Sequence, residues 1–476
     1  EQLNPYTFKN FFNGGGVAIG DLNNDGLSEV FFCGNMVSNK LYLNLGNLKF
    51  KDITSEARLD SEGSWSTGVS LVDINADGFL DIYVCKSGAP EGDNRHNQLF
   101  INNGDLTFTE EAEKYGLNIY GLAVQAAFFD YDKDGDLDCY LLNNSITSIG
   151  SFELEENMRN VPDSAGGNML LKNNNGYFED VTLTSGIFSS KIGFGLGATI
   201  GDVNGDHWPD IYVSNDFFEK DYLYINQRDG TFIDQLQEFI QETSMGSMGA
   251  DLADINNDGL PEYFVTEMLP ERRDRLVTKA FFESWSEQQN AQSKGYHHQF
   301  GRNVLQLNNG DGTFSEVGRY AGVEATDWSW ASLIFDVDND GYKDIFVSNG
   351  IYKDLLDLDY VNFMSDASRI GNILRSKDQS IRNLIDMMPS EPLPNYLFHN
   401  QGNVSFTNKA LAWGMQTPTF SNGSAYGDLD NDGDLDLVVN NVNMVASVYD
   451  NKARQLLPSN NYLKLHLHGL TNNTMA

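Results

Sequence analysis

The 476-residue chain is predicted to be all-β, a seven-bladed β-propeller of four-stranded antiparallel blades. Three observations predict it. A nine-residue acidic motif recurs seven times, an asparagine-bounded strand pattern follows each copy, and a small residue stands at a fixed distance before each one. Self-similarity at a period of roughly 50 residues marks a repeat architecture, and four short strands per repeat is the blade pattern.

The motif is clearest in DLDNDGDLD, residues 428–436, which packs five acidic residues into nine positions. Like charges at this density repel unless a cation neutralises them. Short apolar segments on both sides, SAYG and LVVNN, make the stretch a tight turn between two strands. Oxygen-bearing side chains fall at positions one, three, five and nine, with glycine at six. That is the spacing of a calcium loop, in which alternate side chains turn inward and glycine takes the sharp bend.

The first four copies place Asp21, Asn23, Asp25 and Glu29; Asp73, Asn75, Asp77 and Asp81; Asp130, Asp132, Asp134 and Asp138; and Asp202, Asn204, Asp206 and Asp210. The last three place Asp254, Asn256, Asp258 and Glu262; Asp336, Asp338, Asp340 and Asp344; and Asp428, Asp430, Asp432 and Asp436. Up to seven Ca²⁺ ions, one per blade, are therefore expected. The Asp202 loop departs from the pattern, with His207 in place of glycine and Gly205 at position four. It is expected to be the weakest of the seven, strained but present.

After each loop comes a strand such as NKLYLN from Asn39, NQLFIN from Asn97 or DYLYIN from Asp221, degenerating to SVYDN from Ser447 in the last repeat. A Gly- or Asn-rich turn then leads to Phe50, Phe108, Phe178, Phe232, Phe314 or Phe406. Five residues before each leading aspartate stand Gly16, Gly68, Gln125, Gly197, Gly249, Ala331 and Gly423. Innermost propeller strands crowd a central channel, where small residues permit close backbone approach. Gln125 is the exception.

These loops, small residues and N-x-L-[FY] strands resemble FG-GAP or VCBS repeats, the calcium-binding blades also found in integrin alpha heads. Two stretches, GYHHQFGRNVLQLNNGDGTF and ATDWSWASLIFDVDNDGYKDIFVSNG, further resemble a bacterial group of such proteins that carries a C-terminal ASPIC/UnbV-type domain. The resemblance implies a propeller over residues 1–457 and, over 458–476, the start of a truncated ASPIC/UnbV-like domain or a closing strand. It also implies a piece of a longer bacterial protein, secreted or at the cell surface, on the outer-membrane exterior, with a place in an outer-membrane assembly.

Composition agrees with such a setting. The net charge of −37 excludes a nonspecific nucleic-acid or anionic-membrane surface. Of the 68 acidic residues, 24 sit at the four loop positions. Cys33, Cys85 and Cys139 each fall on the second strand of a blade, which predicts buried free thiols rather than a disulfide framework. No apolar run approaches the ~18 residues needed to span a bilayer.

Three repeats carry extra chain between their second and third strands, about residues 145–167, 267–302 and 350–394. Strand alternation sends all three to the face opposite the acidic loops. Insertions gathered on one face of a repeat protein mark its binding side. The two longer ones carry +1 and −2 against −36 for the rest of the chain. In the last, Ile370, Ile373, Leu374, Ile381, Leu384, Ile385 and Met388 recur at helical spacing, which predicts a helix, read either as packed on the propeller or as docking a partner.

Candidate ligand residues are Tyr296, His297, His298 and Arg302, read either as a polar cluster or as hydrogen-bonded within their own loop. Trp328 and Trp330 join them, read as a stacking platform at the channel mouth or as channel packing. The function expected is a non-catalytic, calcium-stabilised binding or scaffold module whose insertion face meets a glycan or a partner surface protein. The alternative is a polysaccharide lyase or hydrolase, for which no catalytic motif is present.

Overall fold

Alternating apolar strands punctuated by acidic and Gly/Asn turns fold as sequence period dictates, into a ring of seven antiparallel blades in the computed structural model. The structure describes all residues except 1–3, 62, 89–94, 146–157, 218, 280–284, 367–369, 371–379, 466 and 468–476. Blade two shows the plan: Ser66–Val72, Asp81–Lys86, Gln98–Asn102 and Phe108–Glu110, hydrogen-bonded in chain order from the channel outward. Six blades have all four strands. Among the described residues the seventh has three, Ser421–Gly427, Asp436–Asn441 and Ser447–Tyr449.

Register is the same in every blade. The residue before the leading aspartate pairs with the ninth-position acid, as in Gly20 with Glu29, Val72 with Asp81 and Gly427 with Asp436. The acidic loop is thus always the turn between the first and second strands. Seven apolar wedges between neighbouring blades form the core; Tyr83, Cys85, Leu99, Cys139, Leu141 and Phe178 fill the one between blades two and three. All three cysteines are free and buried, although Cys33 lies one residue past its strand Glu29–Phe32.

The small residues ahead of the loops stand where one blade's inner strand meets the next. A Cβ on Gly68 would lie 2.3 Å from the Val124 carbonyl oxygen, and one on Gly423 would lie 2.6 Å from that of Gly15, where the ring closes. Backbone contact across the seam is direct, with the Gly249 N–H donating to the Trp330 oxygen at 2.9 Å. Gln125 keeps this contact with its side chain. Its amide donates to the Ala198 carbonyl at 3.1 Å and accepts from the Ala198 N–H at 2.9 Å, imitating the peptide group that glycine brings close elsewhere.

The segment before the first blade closes the channel mouth on the insertion face. A short 3₁₀ turn, Lys9–Phe12, buries Asn10, which donates to Ser87 Oγ and Asn144 Oδ1 at the tops of blades two and three. Phe8 sets its ring edge-on to Trp65 at 5.0 Å, and Phe12 packs with Met248, Trp328, Trp330 and Ile351.

The insertions leave between second and third strands, as expected. That of blade five carries helices Arg273–Lys279 and Trp285–Ser293, and that of blade six carries Leu358–Ser365 and Ser380–Asp386. Leu384 and Met388 are buried, Ile381 is exposed, and Ile373 and Leu374 lie outside the described residues. The packed-helix reading therefore holds for the second half of the pattern.

Because a carbonyl oxygen of the adjoining strand cannot move aside, Gly68→Ala is expected to destabilise the ring by about 1–3 kcal/mol. Denaturant unfolding should show a lower midpoint, and an unchanged midpoint would contradict the close-approach account.

Candidate metal loops

Each acidic loop is built by its own carboxylates. In the first, Asp21 accepts from the Asp25 and Gly26 N–H groups at 3.2 and 2.8 Å, Asn23 from Asp25 at 2.9 Å, and Asp25 from Leu27 at 2.8 Å. The backbone must take positive φ at positions four and six to present these donors. Asn24 and Gly26 stand at 59° and 88°, Asn431 and Gly433 at 60° and 92°. His207 follows the same path at φ 69°, and Gly205 at 74° supplies the other left-handed residue without strain. The departure keeps the loop shape. His207 itself projects into solvent with its side chain 91% exposed.

The ninth-position acid does more than its spacing predicts. Asp81 is fully buried and shares its two oxygens between the Ile74 N–H at 3.1 Å and the Asn102 N–H at 2.8 Å. Asp138, Asp210, Asp344 and Asp436 repeat both bonds. The asparagine ending each third strand was legible as a repeat but not as a clamp. Asn102 donates to Leu80 O of its own loop and Leu22 O of the preceding one, and Asn226, Asn308, Asn400 and Asn451 do likewise. Loops also reach forward, through Asn24 to Gly78 O and Asn431 to Gly26 O.

Within the loops, ligand atoms of Asp130, Asp132 and Asp138 lie within 4.8 Å of one another, as do those of Asp336, Asp338 and Asp344, and of Asp428, Asp430 and Asp432. Asp338 Oδ1 and Asp428 Oδ1 are buried without a hydrogen-bond donor. Convergent carboxylates with undonated buried oxygens fit a cation. Burial, with neighbouring acids adding to it, pushes Asp81 and Asp210 up to about 7 and Asp138 and Asp344 up to about 8.

Two loops bring their own positive charge. Lys172 pairs with Asp132 and lies 3.3 Å from Asp134, and Arg228 donates to Asp206 at 2.7 Å. Of the candidate ligand residues, Tyr296, His297, Arg302, Trp328 and Trp330 are buried. Arg302 pairs with Glu242 and, at 3.1 Å, Glu316, and His297 Nε2 meets Ile240 O at 2.8 Å. His298 alone among the six is exposed, bonded to Gln292. The other five are buried, His297 and Arg302 tying the end of the insertion to the propeller and the two tryptophans packing with Phe12, Met248 and Ile351.

On the insertion face itself, a cavity of about 280 Å³ opens between the blade-five and blade-six insertions. Arg275, Thr278, Lys279, Asp354, Asp357 and Glu391 line it. Arg275 pairs with buried Asp327 and, at 2.8 Å, Glu391, and Lys279 with Asp354 at 3.0 Å and with Asp357.

A family model described as FG-GAP-like repeat matches residues 4–84, 202–265 and 296–347. Over those three stretches the chain is similar to FG-GAP-like repeats. It is 27% identical over 218 residues to cartilage acidic protein 1 of Xenopus tropicalis, covering 45% of this chain and 30% of that protein. To the human protein of that name it is 26% identical over 270 residues, 51% of this chain and 38% of the other. The chain thus spans about a third of the length of these curated relatives. Among solved structures, the V. cholerae biofilm matrix protein Bap1 aligns with 64% of this chain and 38% of its own at 13% identity and a TM-score of 0.30.

Raised carboxyl pKa values mean that the cation-free native state holds protons the unfolded chain has released. Its stability is therefore fully present below about pH 4 and falls as pH rises through about 7 to 8. Melting in chelator at pH 5, 6, 7 and 8 should show this decline, which added cation flattens; a rise with pH would contradict it. Lys172→Met should tighten cation binding at the Asp130 loop a few-fold, about 1 kcal/mol for a partly exposed pair. Site-resolved titration with a luminescent lanthanide checks this, and unchanged or weaker binding would show the ammonium does not compete.

Proposed function

We propose that this FG-GAP-like propeller is a non-catalytic binding or scaffold module working outside the cell, braced by Ca²⁺ and presenting its insertion face to a glycan or a partner surface protein. The observation that carries the reading is the division of faces. Seven acidic loops occupy one face, and the insertions with their charge-paired cavity occupy the other. Hard carboxylate and carbonyl oxygens in these nine-residue loops suit Ca²⁺, and the millimolar calcium of extracellular fluids would keep even weak modules filled. Relatives named as an acidic protein of cartilage are in keeping with an extracellular role.

Under this reading residues 458–476 open a further domain, of ASPIC/UnbV type. Tyr462, Leu463, Leu465 and Leu467 are exposed apolar residues that such a domain would cover. A bacterial outer-membrane exterior is the setting proposed for the whole protein. Among the described residues no helix is long and apolar enough to cross a membrane.

The test pairs stability with binding. Complete chelation should lower the melting temperature strongly, since each site at 100 times its dissociation constant contributes about 2.7 kcal/mol. Glycan-array and surface-protein binding should be lost on chelation, and also on Thr278→Trp, which fills the cavity without touching the loops. An unchanged melt after cation removal would refute the calcium brace. Turnover of any polysaccharide would refute the non-catalytic role.

A further inference from the structure

The seven loops are not chemically equal, because the residue just before each clamp asparagine differs from blade to blade and two of them reach the loop carboxylates. That position holds Leu43, Ile101, Lys172, Ile225, Leu307, His399 and Asp450 in turn. Lys172 shows that a side chain there reaches the loop carboxylates. In blade six the position belongs to an imidazole. His399 Nε2 lies 3.7 Å from Asp338 Oδ2 and its Nδ1 lies 3.4 Å from Asp344 Oδ1. Ligand atoms of Asp338, Asp340 and His399 fall within 4.8 Å of one another.

Two atoms in this cluster lack the partners that burial demands. Asp338 is 7% exposed, and its Oδ1 has no hydrogen-bond donor. His399 Nδ1 is likewise buried and unbonded. The ring is held over Trp413, centroids 5.5 Å apart, so the imidazole is positioned rather than free to swing. Donors sharing an ion through bonds of about 2.0–2.2 Å lie at most about 4.4 Å apart, so closing the cluster needs a contraction of a few tenths of an ångström. Imidazole nitrogen is a donor that calcium neglects and that zinc, copper, iron and nickel favour.

We propose that the sixth loop is a mixed nitrogen and oxygen site for a first-row divalent cation of the Zn²⁺ class, with Asp336, Asp338, Asp340, Asp344 and His399 as its donors. The inference rests on the reading of these loops as cation sites. The sixth is distinguished from its oxygen-only neighbours by one residue. Among the described residues His207 also reaches a loop, its Nδ1 3.6 Å from Asp202 Oδ2, but its side chain is 91% exposed and water competes for it, unlike the buried Nδ1 of His399.

Protein held in millimolar Ca²⁺ and titrated with Zn²⁺ by calorimetry should take up one equivalent that calcium does not displace. His399→Leu installs the residue found at positions 43 and 307. It should weaken that equivalent by at least about 100-fold, since losing even an outer-shell partner costs about 10–100-fold. Calcium-dependent melting should be retained in the variant. With Co²⁺ in place of Zn²⁺, the unaltered protein should show a paramagnetically shifted imidazole resonance, a readout independent of whether the variant folds. No Zn²⁺ uptake in excess calcium, uptake that survives His399→Leu, or a Co²⁺ complex without the shifted resonance would overturn the inference. If calcium fails to raise the melting temperature at all, the cation reading of the loops fails instead.

Discussion

In six of the seven blades the carboxylate that opens the second strand is buried and its two oxygens take backbone N–H groups from two places, the start of the acidic loop and the end of the third strand; Glu262 takes only the first. Three elements of a blade are thereby fixed to one side chain. The third-strand asparagine that receives this carboxylate turns its own amide to carbonyls of its loop and of the preceding one. A charge buried at such cost is tolerated because both of its oxygens are donated to and because a cation site adjoins it. Removing it leaves two buried N–H groups unmet and a clamp without an anchor, so the loops, the blade and the ring share one point of failure.

That arrangement also decides what the sequence can reveal. Loop positions, glycine offsets and insertion points recur within short windows, and their physical cause is local: a turn that needs positive φ, a seam with no room for Cβ. They are legible for that reason. Gln125 breaks the small-residue rule because its amide satisfies Ala198 as a backbone would, which only the neighbouring blade discloses. Arg302 resembles a ligand residue in sequence, yet Glu242 and Glu316, 60 and 14 residues away, claim it. Long-range pairing carries no periodic mark. The seventh blade's having only three strands among the described residues is of the same kind, since SVYDN from Ser447 ends in a clamp asparagine like its counterparts but leads into a short helix, Ala453–Leu456.

The two faces divide the electrostatic work. On the loop face, carboxylates converge, and Lys172 and Arg228 supply countercharge to two of the loops. On the insertion face, Arg275 and Lys279 meet Asp327, Asp354 and Asp357 within the protein itself, so that face keeps its shape without a cofactor. Fully paired charges in a cavity still present fixed donors and acceptors. They favour a neutral, polar guest over one carrying net charge, which would have to break an ion pair on entry.

The plug formed by Lys9–Phe12 has a kinetic meaning. Its partners are Ser87 in blade two, Asn144 in blade three, and the cluster of Met248, Trp328 and Ile351 that borders blades five and six. No such seat exists until blades distant in the chain have been brought into a circle. Residues 9–12 are then among the last to settle, after hundreds of later ones have assembled, a long loop closure whose entropy must be met in advance. The plug therefore reports completion of the circle, and amide protection at Asn10 should appear only in molecules whose last blade has met the first.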